Sequence, residues 1–254
     1  MHPAPWSFSW EPLFLALSVV AAVAYARAAR AARPSPARPV AFALGLALVV
    51  AALCSPLETI ARHYLLLFHL LGNVMIADWA PPLLVLGLAP AMRASIARRG
   101  GRALARITQP WVSLPAWLGV WYVVHLPAFY DYALRHTWAL NVEHALLIAA
   151  GLLFWWTVFG GVLSTAGALA YLGVAFVASA FLGLAFIFSS SAFYDFYKHA
   201  PRLWGLSPAK DQNLGGILMN AEQTVVFLAA LSYFLVRLLD EEDLQHGRKA
   251  EAGR

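Results

Sequence analysis

Apolar residues fall in seven runs along this chain, separated by short polar stretches rich in Arg, Pro or Gly. The runs cover approximately residues 10–29, 40–54, 64–88, 111–126, 142–159, 168–190 and 214–238. Each is near the roughly 17–25 residues that a helix needs to cross a bilayer, the second and fourth being short. The pattern predicts an all-α fold: a polytopic transmembrane helical bundle of about seven helices. Residues 1–239 form a single domain in this reading, and the polar tail at 240–254 is expected to lack order. No internal repeat stands out.

The third run departs from its own pattern. YLLLFHLLGNVMIADWAPPLLVLGL carries His69, Asn73 and Asp78 and then the pair Pro81-Pro82. Polar groups at membrane depth cost about 2.5–3.5 kcal/mol each on insertion scales, so they point to a site. The prolines predict a break, with Asp78 as the cap of a new helical half. A proton relay through Asp78 is the rival reading.

Composition supports membrane insertion. The chain is 61% hydrophobic and only 12% charged, against about 25% charged in soluble domains. Its net charge of +5 would suggest nucleic acid in a soluble protein. Here the basic residues sit between apolar runs, so the expected partner is the lipid bilayer and no nucleic acid. The single cysteine, Cys54, excludes an intramolecular disulfide and any multi-thiolate metal site.

Charge also predicts orientation. Alternate loops and the C-terminal segment hold thirteen Lys and Arg, among them Arg33, Arg38, Arg93, Arg99 and Arg237; the opposite loops hold five. The positive-inside rule then places the N-terminus outside and the C-terminus in the cytoplasm. No basic residue precedes the first run, so a retained first helix is expected rather than a cleaved leader. On this topology His63, His69, His125, His136, His144 and His199 gather at the outer ends, with His2 in the outer N-terminal segment; only His246 is cytoplasmic. That predicts a ligand site open to the exterior.

Each candidate has a plainer explanation beside it. His69 and Asn73 share a helix face, and a histidine hydrogen-bonded across helices is an ordinary packing device. Glu143 precedes His144 at the start of the fifth run. That carboxylate either serves the helix dipole or orients an imidazole that binds metal. His125 sits at a helix end on the level of His144. On the seventh run, Met219 offers a thioether suited to Cu(I), although Met is more often packing. Glu222 is at a depth comparable with His69 and Asn73, which are its candidate partners. No Walker A loop, GxGxxG, HExxH, CxxC or CxxCH is present; hydrolysis, nucleotide use and covalent haem are not indicated, and the protein is not expected to be an enzyme.

Several pieces in order carry a family resemblance. They are Ser55-Pro56-Leu57, His69 followed by AlaProProLeuLeuValLeuGly at 80–87, His125-Leu126-Pro127 with Tyr130-Asp131, and His136. Next come Glu143-His144 with Phe154-Trp155-Trp156, the stretch APRLWGLSP at 200–208, Asp211-Gln212, Leu214-Gly215-Gly216 and Met219. From about Ser55 to Phe234 the chain resembles the CtaG-type cytochrome c oxidase assembly proteins. These are polytopic proteins of bacterial membranes associated with copper delivery to haem–copper oxidases. The resemblance implies seven helices in a bacterial plasma (inner) membrane, copper as the bound metal, and an oxidase subunit as partner. It carries His69, His125 and His144 over as metal-site residues; Met219 and Glu222 are further candidate contacts from the reading of the residues themselves. The chain departs from the family pattern at Asn73, where a second histidine is usual, and at Asn220 and Glu222, where Trp and Pro are usual. Two other functions remain open at this point: a haem-binding or electron-transfer membrane protein, and a proton-coupled transporter using Asp78 and Glu222.

Overall fold

The computed structural model describes residues 2–252, with side chains as far as Gln245. Helices succeed one another in the order α1 (Pro12–Ala32), α2 (Ala37–Leu53), α3 (Pro56–His63), α4 (Leu66–Val74), a π-helical turn (Met75–Trp79) and α5 (Ala80–Gly87). The rest are α6 (Pro90–Ile107), α7 (Pro110–Val124), α8 (Pro127–Arg135), α9 (Thr137–Phe159), α10 (Thr165–Phe188), α11 (Asp195–His199) and α12 (Pro208–Ala252). No strand occurs among the described residues. This is a multi-pass helical membrane protein: five helical stretches are long and apolar enough to span, and seven if two bent pairs each count as one span.

The bent pairs are the second and fourth runs, which explains why those runs are short. α2 and α3 meet at 42° across Cys54-Ser55, and α7 and α8 meet at 68° across His125-Leu126. In both places the following residue is proline, which excludes the α conformation from the residue before it. Ser55 also caps α3, its hydroxyl accepting from the Leu57 N–H at 3.1 Å.

Pro81-Pro82 do not break the third span. α4, the π-helical turn and α5 run on as one stretch, Leu66–Gly87. The wide turn shifts the hydrogen-bond register, so the prolines fall in the first turn of α5, where a missing N–H costs least. Asp78 therefore caps nothing: the residue before α5 is Trp79, and no side chain caps that end. α9 closes against the wide turn at Gly151, where a Cβ would strike the Ala77 carbonyl. Such close backbone approach is how membrane helices associate. The polar segment beyond Asp240 was expected without order; it continues α12 as helix to Ala252, and its last two residues lie outside the described ones.

The bundle has two chemically different ends. At one, guanidinium groups bind helix-terminal carbonyls: Arg38 Nη1 donates to the carbonyls of Leu86 and Leu88, and Arg93 Nη1 to that of Phe159. At the other, the histidine end, residues 2–11 fold onto α3. The Tyr64 hydroxyl donates to the Pro3 carbonyl, the Thr59 hydroxyl to the Ser7 carbonyl, and Arg62 pairs with Glu11 at 2.7 Å.

Candidate functional site

The histidine end is built around the start of α4. Leu66 and Leu67 would each leave an N–H unsatisfied there. Asp211, in the first turn of α12, accepts both, at 3.0 and 2.9 Å. The same carboxylate pairs with Arg202 at 2.9 Å, and Arg202 Nη1 in turn donates to the Tyr197 carbonyl. A second acid works in the same way: Asp131 of α8 accepts the N–H groups of Asp195 and Phe196 and so seats α11. These two caps hold Tyr197 over α4.

His69 then has both ring nitrogens engaged. Nδ1 lies 3.1 Å from the Tyr197 hydroxyl, and Nε2 lies 3.3 Å from Glu143 Oε1. The Tyr197 hydroxyl gives its one hydrogen to the Ala61 carbonyl at 2.5 Å, so it must accept from His69 Nδ1–H. Burial holds that phenol well above its ordinary value, which keeps it a donor. Glu143 Oε1 also accepts from Asn73 Nδ2 at 3.1 Å. The His69–Glu143 contact is attractive when one proton resides on Nε2 or on Oε1.

The other two histidines flank this pair. The His144 ring lies 6.0 Å from the His69 ring and 6.0 Å from Phe14. The His125 ring is 5.8 Å from Tyr130, which itself lies 4.8 Å from His69. Imidazoles from three spans thus meet at one end of the bundle. They are not open to the exterior: His69, His125 and His144 are only 2, 3 and 2% exposed. Tyr197 of α11, Tyr130 of α8 and Phe14 of α1 pack against them, a cover that hydropathy does not report.

Polar atoms buried here without a partner include His125 Nε2, His144 Nδ1 and Glu143 Oε2, with Asn73 Oδ1 and the Tyr130 hydroxyl beside them. Buried orphans of this kind call for an occupant such as an ion or water. The imidazole nitrogens and the carboxylate oxygen among them suit a borderline or soft cation. As they stand, no three His, Cys, Asp or Glu side chains among the described residues are spaced to share one ion. Three of these side chains would have to move to share an ion. At the surface of the same end, a cavity of about 280 Å³ is lined by His2, His63 and His199 together with Asp195.

Met219 and Glu222 do not join the cluster equally. Met219 is buried in the apolar core that also holds Leu70, Val74 and Phe186. Glu222 has a different partner from the one expected. α12 begins at Pro208, above the start of α4, so that Gly215 already lies against Leu67 and Leu70, and the two helices descend side by side. Glu222 therefore lies deeper than His69; its Oε2 accepts from Trp79 Nε1 at 2.8 Å. Its neighbour there is Asp78, fully buried, whose carboxyl group is set against that of Glu222. Asn73 pairs with Glu143 instead.

Sequence reasoning passed over Tyr197, Tyr130 and Asp211 as parts of the site. Tyr130 and Asp211 stand in stretches of the family resemblance, but nothing in their local pattern shows what they face. Tyr197 carries no such signal.

A family model described as cytochrome c oxidase caa3 assembly factor matches residues 19–241. No curated protein matches the chain, and no solved structure does.

Proposed function

Since the chain belongs to the cytochrome c oxidase caa3 assembly factor family, we propose that it assists a haem–copper oxidase by holding copper as cargo at the histidine end and passing it to an oxidase subunit. It does so in a bacterial plasma membrane, with the N-terminus outside by the distribution of arginines. The role is assembly rather than catalysis.

One observation carries this reading: His69, His125 and His144 come from three separate spans and converge, two of them with an orphaned ring nitrogen. Imidazole is a good copper donor. A cargo site needs ligands that let go, and a set without thiolates suits release. Tyr197 takes the His69 Nδ1–H, as a second partner does around a metal-bound imidazole; Nε2 is then the nitrogen for copper, and Glu143 has to release it on loading. The buried state is then the closed one, and loading requires the cover over the histidines to open.

Copper content of the purified protein tests it. Wild type is expected to retain copper, while His69→Ala and His144→Ala lose most of it. Equal copper in all three would remove the proposal. The visible spectrum of the same samples decides the haem alternative, since a strong Soret band would displace copper as the cargo.

A further inference from the structure

Two cavities run into one another at the arginine-rich end. The first, about 440 Å³, is lined by Arg38, Arg93, Arg237 and Thr165. The second, about 530 Å³, shares Leu86, Phe159 and Tyr233 with the first. It continues between α5, α9 and α12, past Pro82, Trp155 and Ala229, to Asp78 at the wide turn. The mouth is cationic, and the groove behind it is almost wholly apolar.

Arginines at span ends are ordinary topology signals. Three of them on one walled cavity go beyond that. Arg38 and Arg93 are held by backbone carbonyls through Nη1, which leaves Nε and Nη2 of each as further donors. Among the described residues Arg237 is balanced by Glu241 at 3.1 Å; Glu241 also accepts from Thr165. Burial, and after it the like charge of Arg38, pulls the Arg93 guanidinium below its ordinary value. So the mouth gathers more positive charge than its own acid offsets. Thr165 adds the N-terminal turn of α10, whose dipole end favours an anion.

We propose that this crevice is a binding site for a phosphate-headed lipid, the headgroup held among Arg38, Arg93 and Arg237 and an acyl chain lying in the groove between α5, α9 and α12. Charge and shape are both needed for the assignment. A free phosphate matches only the mouth, and a neutral apolar molecule matches only the groove. Basic pockets between spans are a recurring way of recognising anionic headgroups.

Delipidated protein in neutral detergent is titrated with phosphatidylglycerol, with diacylglycerol of the same chains, and with inorganic phosphate, reading the unfolding midpoint and the bound lipid by native mass spectrometry. Phosphatidylglycerol is expected to bind and raise the midpoint, and the other two are not. Arg237→Gln, an exposed side chain, is expected to bind about fivefold more weakly, the effect of one basic charge at an anionic headgroup. Ala229→Trp, which fills the groove from the lipid-facing side of α12, is expected to abolish binding with Arg237 intact. Diacylglycerol or phosphate acting as well as phosphatidylglycerol would overturn the proposal, as would undiminished binding in both variants.

Discussion

Glu143 Oε1 faces two groups at once, the His69 ring and the Asn73 amide, and it does so fully buried. Removing one member of a buried polar pair strands the other, typically at about 3–5 kcal/mol. Glu143→Ala is therefore expected to lower stability by about 3 kcal/mol in a denaturant titration, and Glu143→Gln by clearly less, because the amide oxygen still accepts from Asn73. A substitution at Asn73 asks the functional question. Asn73→His puts an imidazole one turn below His69, on the same face. It is expected to raise copper affinity about tenfold, as imidazole is the better copper donor; unchanged copper retention by dialysis would argue that this face does not bind the ion. At this scale the sequence was partly legible. His69, His125 and His144 stand out as ionisable groups in apolar runs. Their partners do not, because Tyr197 and Asp211 reach the site from far along the chain, and no local spacing encodes that distance. Glu222 shows the opposite failure: depth counted from an assumed helix start put it level with His69, whereas the true start of α12 sets it beside Trp79.

The helices themselves follow the hydropathy closely, since each apolar run must satisfy its own backbone inside lipid. What hydropathy misses is the polar helices. α3, α6, α8 and α11 carry too many charged or interrupting residues to read as spans, yet α3, α8 and α11 frame the histidine end. The third span shows a related limit. Pro81-Pro82 suggest a break, but a π-helical turn lets the helix absorb them. That turn is wedged by α9, so Gly151→Val, which forces a side chain into the Ala77 carbonyl, is expected to cost about 1–3 kcal/mol by overpacking. Thermal unfolding in detergent would register the loss; an unaltered midpoint would mean that α9 can slide away from the turn. The caps can be tested in the same way. Asp211→Ala removes the acceptor of two α4 N–H groups and the partner of Arg202. A lost cap alone costs about 1 kcal/mol, and the stranded arginine adds to it.

Across the whole molecule, one end is basic and the other gathers histidine and tyrosine. The expected orientation can be read with cysteine labels, because Cys54, the native cysteine, is buried. His136→Cys is expected to react with an impermeant reagent from outside intact cells, and Arg98→Cys only after the membrane is opened. The reverse result would put the histidine end in the cytoplasm and away from an exterior copper acceptor. Hydropathy and charge by themselves determined that the chain is a seven-run helical bundle with a basic side, because both properties are summed along short stretches and need no knowledge of what packs where. The tertiary structure decided which side chains meet. It buried the three imidazoles among side chains of α1, α8 and α11, gave His69 to Glu143 and Tyr197, and moved Glu222 to Asp78. Those outcomes depend on helix register and on contacts between residues far apart in the chain, which a one-dimensional pattern does not contain.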